Sequence, residues 1–186
     1  MNERILEGAL NVFKAKGPKF TMDDLASEMK MSKKTIYTVF NDKNEMMCEM
    51  MDYAFDLIKE AEDKVYFDES KDTVEKIRGI LAVLPESHYG FDYTAMHQLA
   101  TKYPMAYEKL QFRLQSGWDK TVDLLKRGMD EGKIKRIDVD LFKIMYEASV
   151  DKLLMGDYLV NSKMDYPTAL GEIVNLMMDG IIIKGK

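Results

Sequence analysis

Residues 21–40 read TMDDLASEMKMSKKTIYTVF, and the fold turns on how this stretch is parsed. Thr21 has Asp24 three positions on, the spacing of a capping box, and Asp23 with Asp24 puts negative charge where a helix N-terminus is positive. Leu25, Ala26 and Met29 supply the buried side of that short helix. Lys30-Met31 leaves room only for a tight turn, and Ser32 is a good N-cap for a further helix running to about Phe40. On it, three-to-four spacing puts Ile36, Val39 and Phe40 on one side and Lys33, Lys34, Tyr37 and Thr38 on the other. Two short helices joined by such a turn form a helix-turn-helix unit.

Working outward, the spacing predicts a first helix over residues 3–16 with Ile5, Leu6, Ala9, Leu10 and Phe13 on one face, ended by Gly17-Pro18. Asn41-Asp42 opens a long helix striped by Met47, Met50, Met51, Ala54, Ile58, Ala61 and Val65. Residues 66–73 read as a loop, 74–84 as a short helix, and 85–92 as a second irregular connection. Helices are expected at 92–102 and 104–131, the latter striped by Tyr107, Leu110, Leu114, Trp118, Val122, Leu125 and Met129 up to Gly132. The last two, 138–158 and 167–184, carry apolar residues on more than one side: Leu141, Ile144, Met145 and Ala148 against Phe142, Tyr146, Val150 and Leu153 on the first. On the final helix Leu170, Ile173, Val174, Met177 and Ile181 line one side, while Leu176, Ile182 and Ile183 fall off it. Such helices need neighbours on most sides, either as the centre of a large domain or as a two-fold helix-pair dimer interface. No run of β-branched residues bounded by turns reads as a strand, so the fold class is all-α with about nine helices.

Composition sets further bounds. The 186 residues are 46% hydrophobic and 32% charged, as in a globular protein. No stretch approaches the roughly 18 apolar residues of a membrane span, and the acidic N-terminus is unlike a signal peptide, so a cytoplasmic location is expected. Cys48 is the one cysteine, which excludes an internal disulfide or a multi-cysteine metal site. The net charge of −5 argues against a protein that coats nucleic acid, but the charge is unevenly spread. Residues 1–48 sum to +1 and the remainder to −6, with a local +3 between Lys30 and Lys43. Two functional parts are therefore expected, 1–47 and 48–186.

The basic side of the 32–40 helix has the chemistry of a recognition helix. Lys33 and Lys34 can donate to phosphate or to guanine O6 and N7, Tyr37 can meet a phosphate or a thymine methyl, and Thr38 can read a base edge. A solvated charged face is the bland alternative. Thr21 at one helix start and Lys43 at another flank the same surface and favour double-stranded DNA as the partner.

Residues 5–47, ILEGALNVFKAKGPKFTMDDLASEMKMSKKTIYTVFNDKNEMM, resemble the N-terminal domain of the TetR family of bacterial transcriptional regulators. The resemblance lies in the helix-1 pattern, the T-x-x-D-L-A segment, the S-K-x-T-I-Y core and the F-x-x-K closing. RGMDEGKIKRIDVDLF at 127–142 is similar, more weakly, to the family's link between its seventh and eighth helices. The resemblance implies a homodimer, joined through the last two helices, whose third helices enter successive major grooves of a palindromic operator. It implies Thr21, Tyr37 and Lys43 toward phosphate, and Lys33, Lys34 and Thr38 toward bases. With Thr35, these make the candidate DNA-contacting set. Two positions depart from the family: Lys30 stands in the turn where glycine is common, and Lys34 where a small residue is. A lysine there either accepts a left-handed backbone at about 1 kcal/mol or reshapes the turn.

The resemblance further implies that residues 48–186 bind a small apolar or amphipathic inducer that favours the state unable to bind DNA. Tyr93, Met96, His97, Tyr107, Trp118, Met145 and Tyr146 are the candidate pocket residues, as large side chains with a few polar tips, although such stripes are ordinarily core. No glycine-rich phosphate loop, metal-ligand cluster or catalytic constellation is seen, so neither cofactor nor metal nor enzymatic activity is expected. The reading is a ligand-responsive regulator, most simply a repressor. The competing reading is a helical sensor or protein-interaction module that does not touch DNA.

Overall fold

A computed structural model of the chain describes residues 1–162 and 164–183, with the side chains of Ala95 and His97 outside that description. The fold is all-α. Among the described residues there is no strand, only an isolated antiparallel bridge between Ile134 and Ile182.

The chain forms two compact units. The first comprises residues 1–57 and 86–114. It begins with α1 (Asn2–Lys16), whose buried face carries Ile5, Leu6, Ala9, Leu10 and Phe13 as its spacing predicts. Gly17 follows at φ 66° and leads into a 3-10 turn, Gly17–Lys19. Then come α2 (Met22–Met29), α3 (Lys33–Tyr37) and the first half of α4 (Lys43–Tyr66). The core of this head is Leu25, Ile36, Phe20, Phe40, Met46, Met47 and Met50, all essentially solvent-free. Residues 86–114 add a 3-10 turn at Glu86–His88, another at Tyr93–Ala95, α6 (His97–Lys102) and α7 (Pro104–Gln115). Lys109 and Arg113 of α7 pair with Asp52 of α4 at 2.8 and 3.3 Å, and Arg113 reaches Asp56 at 2.6 Å.

The second unit comprises residues 58–85 and 115–186. Its elements are the second half of α4, α5 (Thr73–Ala82), α8 (Asp119–Asp130), α9 (Val139–Met155), α10 (Tyr158–Asn161) and α11 (Tyr166–Ile181). Aspartates start three of these helices: Asp72, Asp138 and Asp165 each accept a backbone N–H from the first turn, and Asp72 forms a reciprocal box with Glu75. Lys76, itself buried, closes the other end of α4 by donating to Tyr66 O at 2.8 Å.

The expected continuous helix at 104–131 is two helices, α7 and α8. Gly117 takes φ 73° between them, a conformation open to glycine that breaks the ladder. The break shifts the helical phase, so α8 buries Thr121, Leu124, Leu125 and Gly128, with Val122 and Met129 only half-buried. A stripe continuing from Tyr107, Leu110 and Leu114 through Trp118, Val122, Leu125 and Met129 requires one uninterrupted rod, and of its members on α8 Leu125 alone is buried. The expected helix at 138–158 likewise ends at Met155, and a single turn, α10, follows.

The turn of the helix-turn-helix keeps its left-handed backbone with lysine in place. Lys30 adopts φ 53° and ψ 42°. Its N–H donates to Ser27 O at 3.2 Å, and that of Met31 donates to Ala26 O at 2.9 Å. These two bonds define a Schellman cap with lysine in the position usually held by glycine. The side chain is exposed and nothing in the head requires it. Lys30→Gly is therefore expected to stabilise the protein by about 1 kcal/mol, the relieved Cβ strain outweighing glycine's greater unfolded freedom. A urea midpoint that stays put or falls would count against strain at this position.

Candidate nucleic-acid interface

The predicted cap of α2 is present in full. Asp24 N–H donates to Thr21 Oγ1 at 3.2 Å, and Thr21 N–H to Asp24 Oδ2 at 2.7 Å. Lys16 adds a 2.5 Å ion pair to Asp24, and this bond together with those from Thr21 lowers the Asp24 carboxyl to about 2. Thr21 is thus fixed at the start of α2 with its side chain exposed.

The regular part of α3 is shorter than its spacing predicts, ending at Tyr37 rather than Phe40. Thr38 N–H to Lys34 O at 3.1 Å and Phe40 N–H to Ile36 O at 3.2 Å carry a looser turn onward. Ser32 caps the start through the N–H of Thr35 at 3.1 Å, and its Oγ lies 2.8 Å from Thr35 Oγ1. The two-sided pattern holds: Ile36 and Phe40 are buried, while Lys33, Lys34, Tyr37 and Thr38 are exposed and Thr35 and Val39 half-buried. Thr38 donates its hydroxyl proton to Thr35 O at 2.6 Å, leaving its oxygen able to accept a bond from a partner. Lys33 pairs with Asp23 of α2 at 2.7 Å, both ends open to water. Among the described residues no acid lies within ion-pair distance of Lys34. Asp23 as a partner of Lys33 has no signature in the sequence, since it depends on how α2 crosses α3.

Lys43 is placed differently. Asp42 caps α4 by accepting from Glu45 N–H at 2.9 Å, and Lys43 is the first residue of that helix. Its ammonium is directed inward, to backbone oxygens and aromatic rings of the same unit.

The candidate ligand residues fall in both units. Tyr93, Met96 and Tyr107 belong to the first, with Met96 buried and the two tyrosines half-buried; the His97 side chain lies outside the described ones. Trp118, Met145 and Tyr146 belong to the second. There the Trp118 and Tyr146 rings meet edge to face at 5.4 Å, and Tyr146 Oη donates to Leu81 O at 2.6 Å. Burial pushes the Tyr146 hydroxyl well above its usual range. Met145 is exposed beside Leu141 and Ile144 on α9. Among the described residues no group of acidic, histidine or cysteine side chains is arranged to hold a metal ion, and no helix is long and apolar enough to cross a membrane.

Comparison with known proteins matches residues 5–50 to the family of bacterial regulatory proteins named for tetR. An uncharacterized HTH-type transcriptional regulator, YvaF of Bacillus subtilis (strain 168), is 26% identical over 181 residues, which cover 97% of this chain and 95% of the relative. Solved structures share the fold over nearly the whole chain. A transcriptional regulator from Rhodococcus sp. Rha1 superposes with a TM-score of 0.66 at 16% identity, covering 99% of each chain. FadR from Bacillus subtilis, in complex with stearoyl-CoA, gives 0.64 at 18% identity, covering 96% of this chain and 98% of that one. PfmR, a TetR-family regulator from Thermus thermophilus, gives 0.60 at 23% identity, covering 95% and 97%. The matched helix-turn-helix head and the full-length relative agree: residues 5–50 match the DNA-binding domain of the tetR family of bacterial regulatory proteins, and the chain as a whole is similar to an HTH-type transcriptional regulator.

Proposed function

We propose that the protein is a ligand-responsive repressor that binds a palindromic DNA operator as a homodimer and is released by a small amphipathic inducer. The observation that carries this reading is the outer side of α3, where Lys33, Lys34, Tyr37 and Thr38 stand exposed on a helix whose other side is locked into the head. These side chains donate to phosphates and base edges, with Thr21 and Thr35 beside them. Residues 1–47 form the reading head in this proposal, and 48–186 carry inducer binding and dimerisation.

Leu141, Ile144 and Met145 of α9 and Leu176 of α11 are exposed apolar residues on two helices that pack together in the second unit. They support a two-fold contact through these helices. A long-chain acyl-CoA is the first inducer class to examine, because a protein of the same fold was solved with stearoyl-CoA.

Gel retardation of the DNA upstream of the protein's own gene tests the proposal. The expected result is a discrete complex, tighter than with random duplex, whose log K falls linearly with log salt by about 0.9 for each phosphate neutralised. A complex dissolved by an acyl-CoA would identify the inducer class. No retardation, together with salt-independent passage over heparin, would favour the helical sensor module instead.

A further inference from the structure

Met29 ends α2, and its side chain fills a notch that α1 offers because residue 8 is glycine. A Cβ built on Gly8 would lie 1.9 Å from Met29 Sδ and 3.0 Å from its Cγ, so the thioether stands where any other residue would put its first side-chain carbon. Gly8 is buried, and α1 and α2 pack on one another. Met29 is not sealed in, however. Half-buried, it lines an open groove of about 490 Å³ on the head, together with Arg4, Asn11, Lys30 and Met31.

This combination separates Met29 from other sulfurs of its unit. Met46, Met47 and Met50 are solvent-free, out of reach of a dissolved oxidant, and Met105 is 66% exposed, where an added oxygen displaces little. Burial pushes the thiol of Cys48 up, away from the thiolate form that reacts with peroxides. A sulfoxide is bulkier than a thioether and carries a polar, accepting oxygen. Inside the notch that oxygen would face helix backbone whose N–H groups are already bonded, and a buried acceptor without a donor is costly. Out in the groove Arg4, Asn11 and Lys30 can donate to it, which the carboxylates of Glu7 and Glu28 there cannot.

We propose that Met29 is a reversible oxidation site of the head, with hydrogen peroxide as the oxidant, and that its sulfoxide leaves the notch and loosens α2 from α1. The sulfur lone pair takes one oxygen as the O–O bond breaks. The other oxygen leaves with both protons as water, so sulfur loses two electrons and the peroxide gains them. The emptied notch lies under the last turn of α2, one residue before the left-handed Lys30 from which the chain turns into α3. The effect on DNA rests on the function proposed above; the oxidation and the loosening do not.

The full chain is exposed to hydrogen peroxide as wild type and as Met29→Leu, which fills the notch with no sulfur to oxidise there. Peptide mapping by mass spectrometry follows each methionine, with operator titration and urea midpoint read on the same samples. Met29 sulfoxide is expected ahead of that of Met46, Met47 and Met50. Wild-type operator affinity then falls roughly tenfold, the middle of the range for one side chain's packing, and a methionine sulfoxide reductase restores it. Met29→Leu keeps its affinity through the treatment; because it retains Met105 and Met145, losses through those exposed sulfurs would show in it too. Equal losses in the two proteins, or oxidation of Met29 no earlier than that of the three core methionines, overturns the proposal. If the wild type binds no duplex, the DNA reading fails, and the urea midpoint decides the site: a fall in the wild type alone supports it, equal falls overturn it. Should Met29→Leu not fold, Gly8→Ala takes its place. Its Cβ pushes the thioether into the groove beforehand, so peroxide costs that variant's operator complex nothing further, and a loss as large as the wild type's overturns the switch.

Discussion

Lys33→Ala combined with Lys34→Ala is expected to abolish operator recognition while leaving the fold intact. Both side chains are exposed, so their removal opens no cavity, and helix propensity favours alanine. A dimer carries each position twice. At about 1 kcal/mol for each charge-assisted bond to a base or phosphate, removing all four weakens binding about a thousandfold. The two lysines are not equivalent. Lys33 is held by Asp23 at 2.7 Å and must exchange that carboxylate for DNA, but an ion pair this exposed is worth no more than about 1 kcal/mol. Lys34 has no such competitor among the described residues. Single variants should therefore separate: Lys34→Ala changes which operator sequences are preferred, whereas Lys33→Ala loses less. Anisotropy titrations against the operator and a set of point-substituted operators would read both effects. Equal losses on operator and random duplex for Lys34→Ala would remove it from the base-reading set.

The parts of this head that were legible in the sequence are those written in adjacent residues. Thr21 with Asp24, Ser32 with Thr35, and the alternation of Ile36 and Phe40 with Lys33 and Lys34 are all settled within one or two helical turns, and each is present. At Lys30 the sequence left two outcomes open, a left-handed lysine or a reshaped turn, and the backbone takes the first at φ 53°. What was not legible is what depends on distant chain. Nothing in the local sequence brings Tyr103 over Lys43, or Asp23 against Lys33.

The second unit shows the same limit from another side. An apolar stripe drawn through Tyr107, Leu110, Leu114, Trp118, Val122, Leu125 and Met129 is a sound inference for one helix, but Gly117 resets the phase: Leu125 is buried as expected, with Thr121, Leu124 and Gly128 beside it, while Val122 and Met129 are half-buried. On α9 two apolar faces were visible and periodicity could not choose between them. Packing does: Phe142, Val150, Leu153 and Leu154 go inward, and Leu141, Ile144 and Met145 are left outside. The candidate pocket residues were picked by type alone, and they distribute over both units.

Ile144→Asp combined with Leu176→Asp is expected to leave the protein monomeric and unable to hold its operator. In the single chain these side chains are 60% and 75% exposed, so an aspartate at either costs the folded protomer little. Across a two-fold contact the cost is of another order. Each carboxylate would be desolvated without a cation, and symmetry doubles every such group, with like charges facing one another near the axis. At about 3 kcal/mol or more for a buried unpaired charge, the dimer dissociation constant rises over a hundredfold. Operator affinity falls with it, because a palindrome read by one head forgoes the second half-site and the effective concentration that tethering supplies. Met105→Asp is the control: Met105 is 66% exposed on α7, away from the α9 and α11 pair in the chain, and should change neither property. Sedimentation velocity and operator titration on the three proteins, with circular dichroism to verify the helices, give the answer. A double variant that sediments as a dimer and binds operator like the wild type would place the two-fold contact on some other surface.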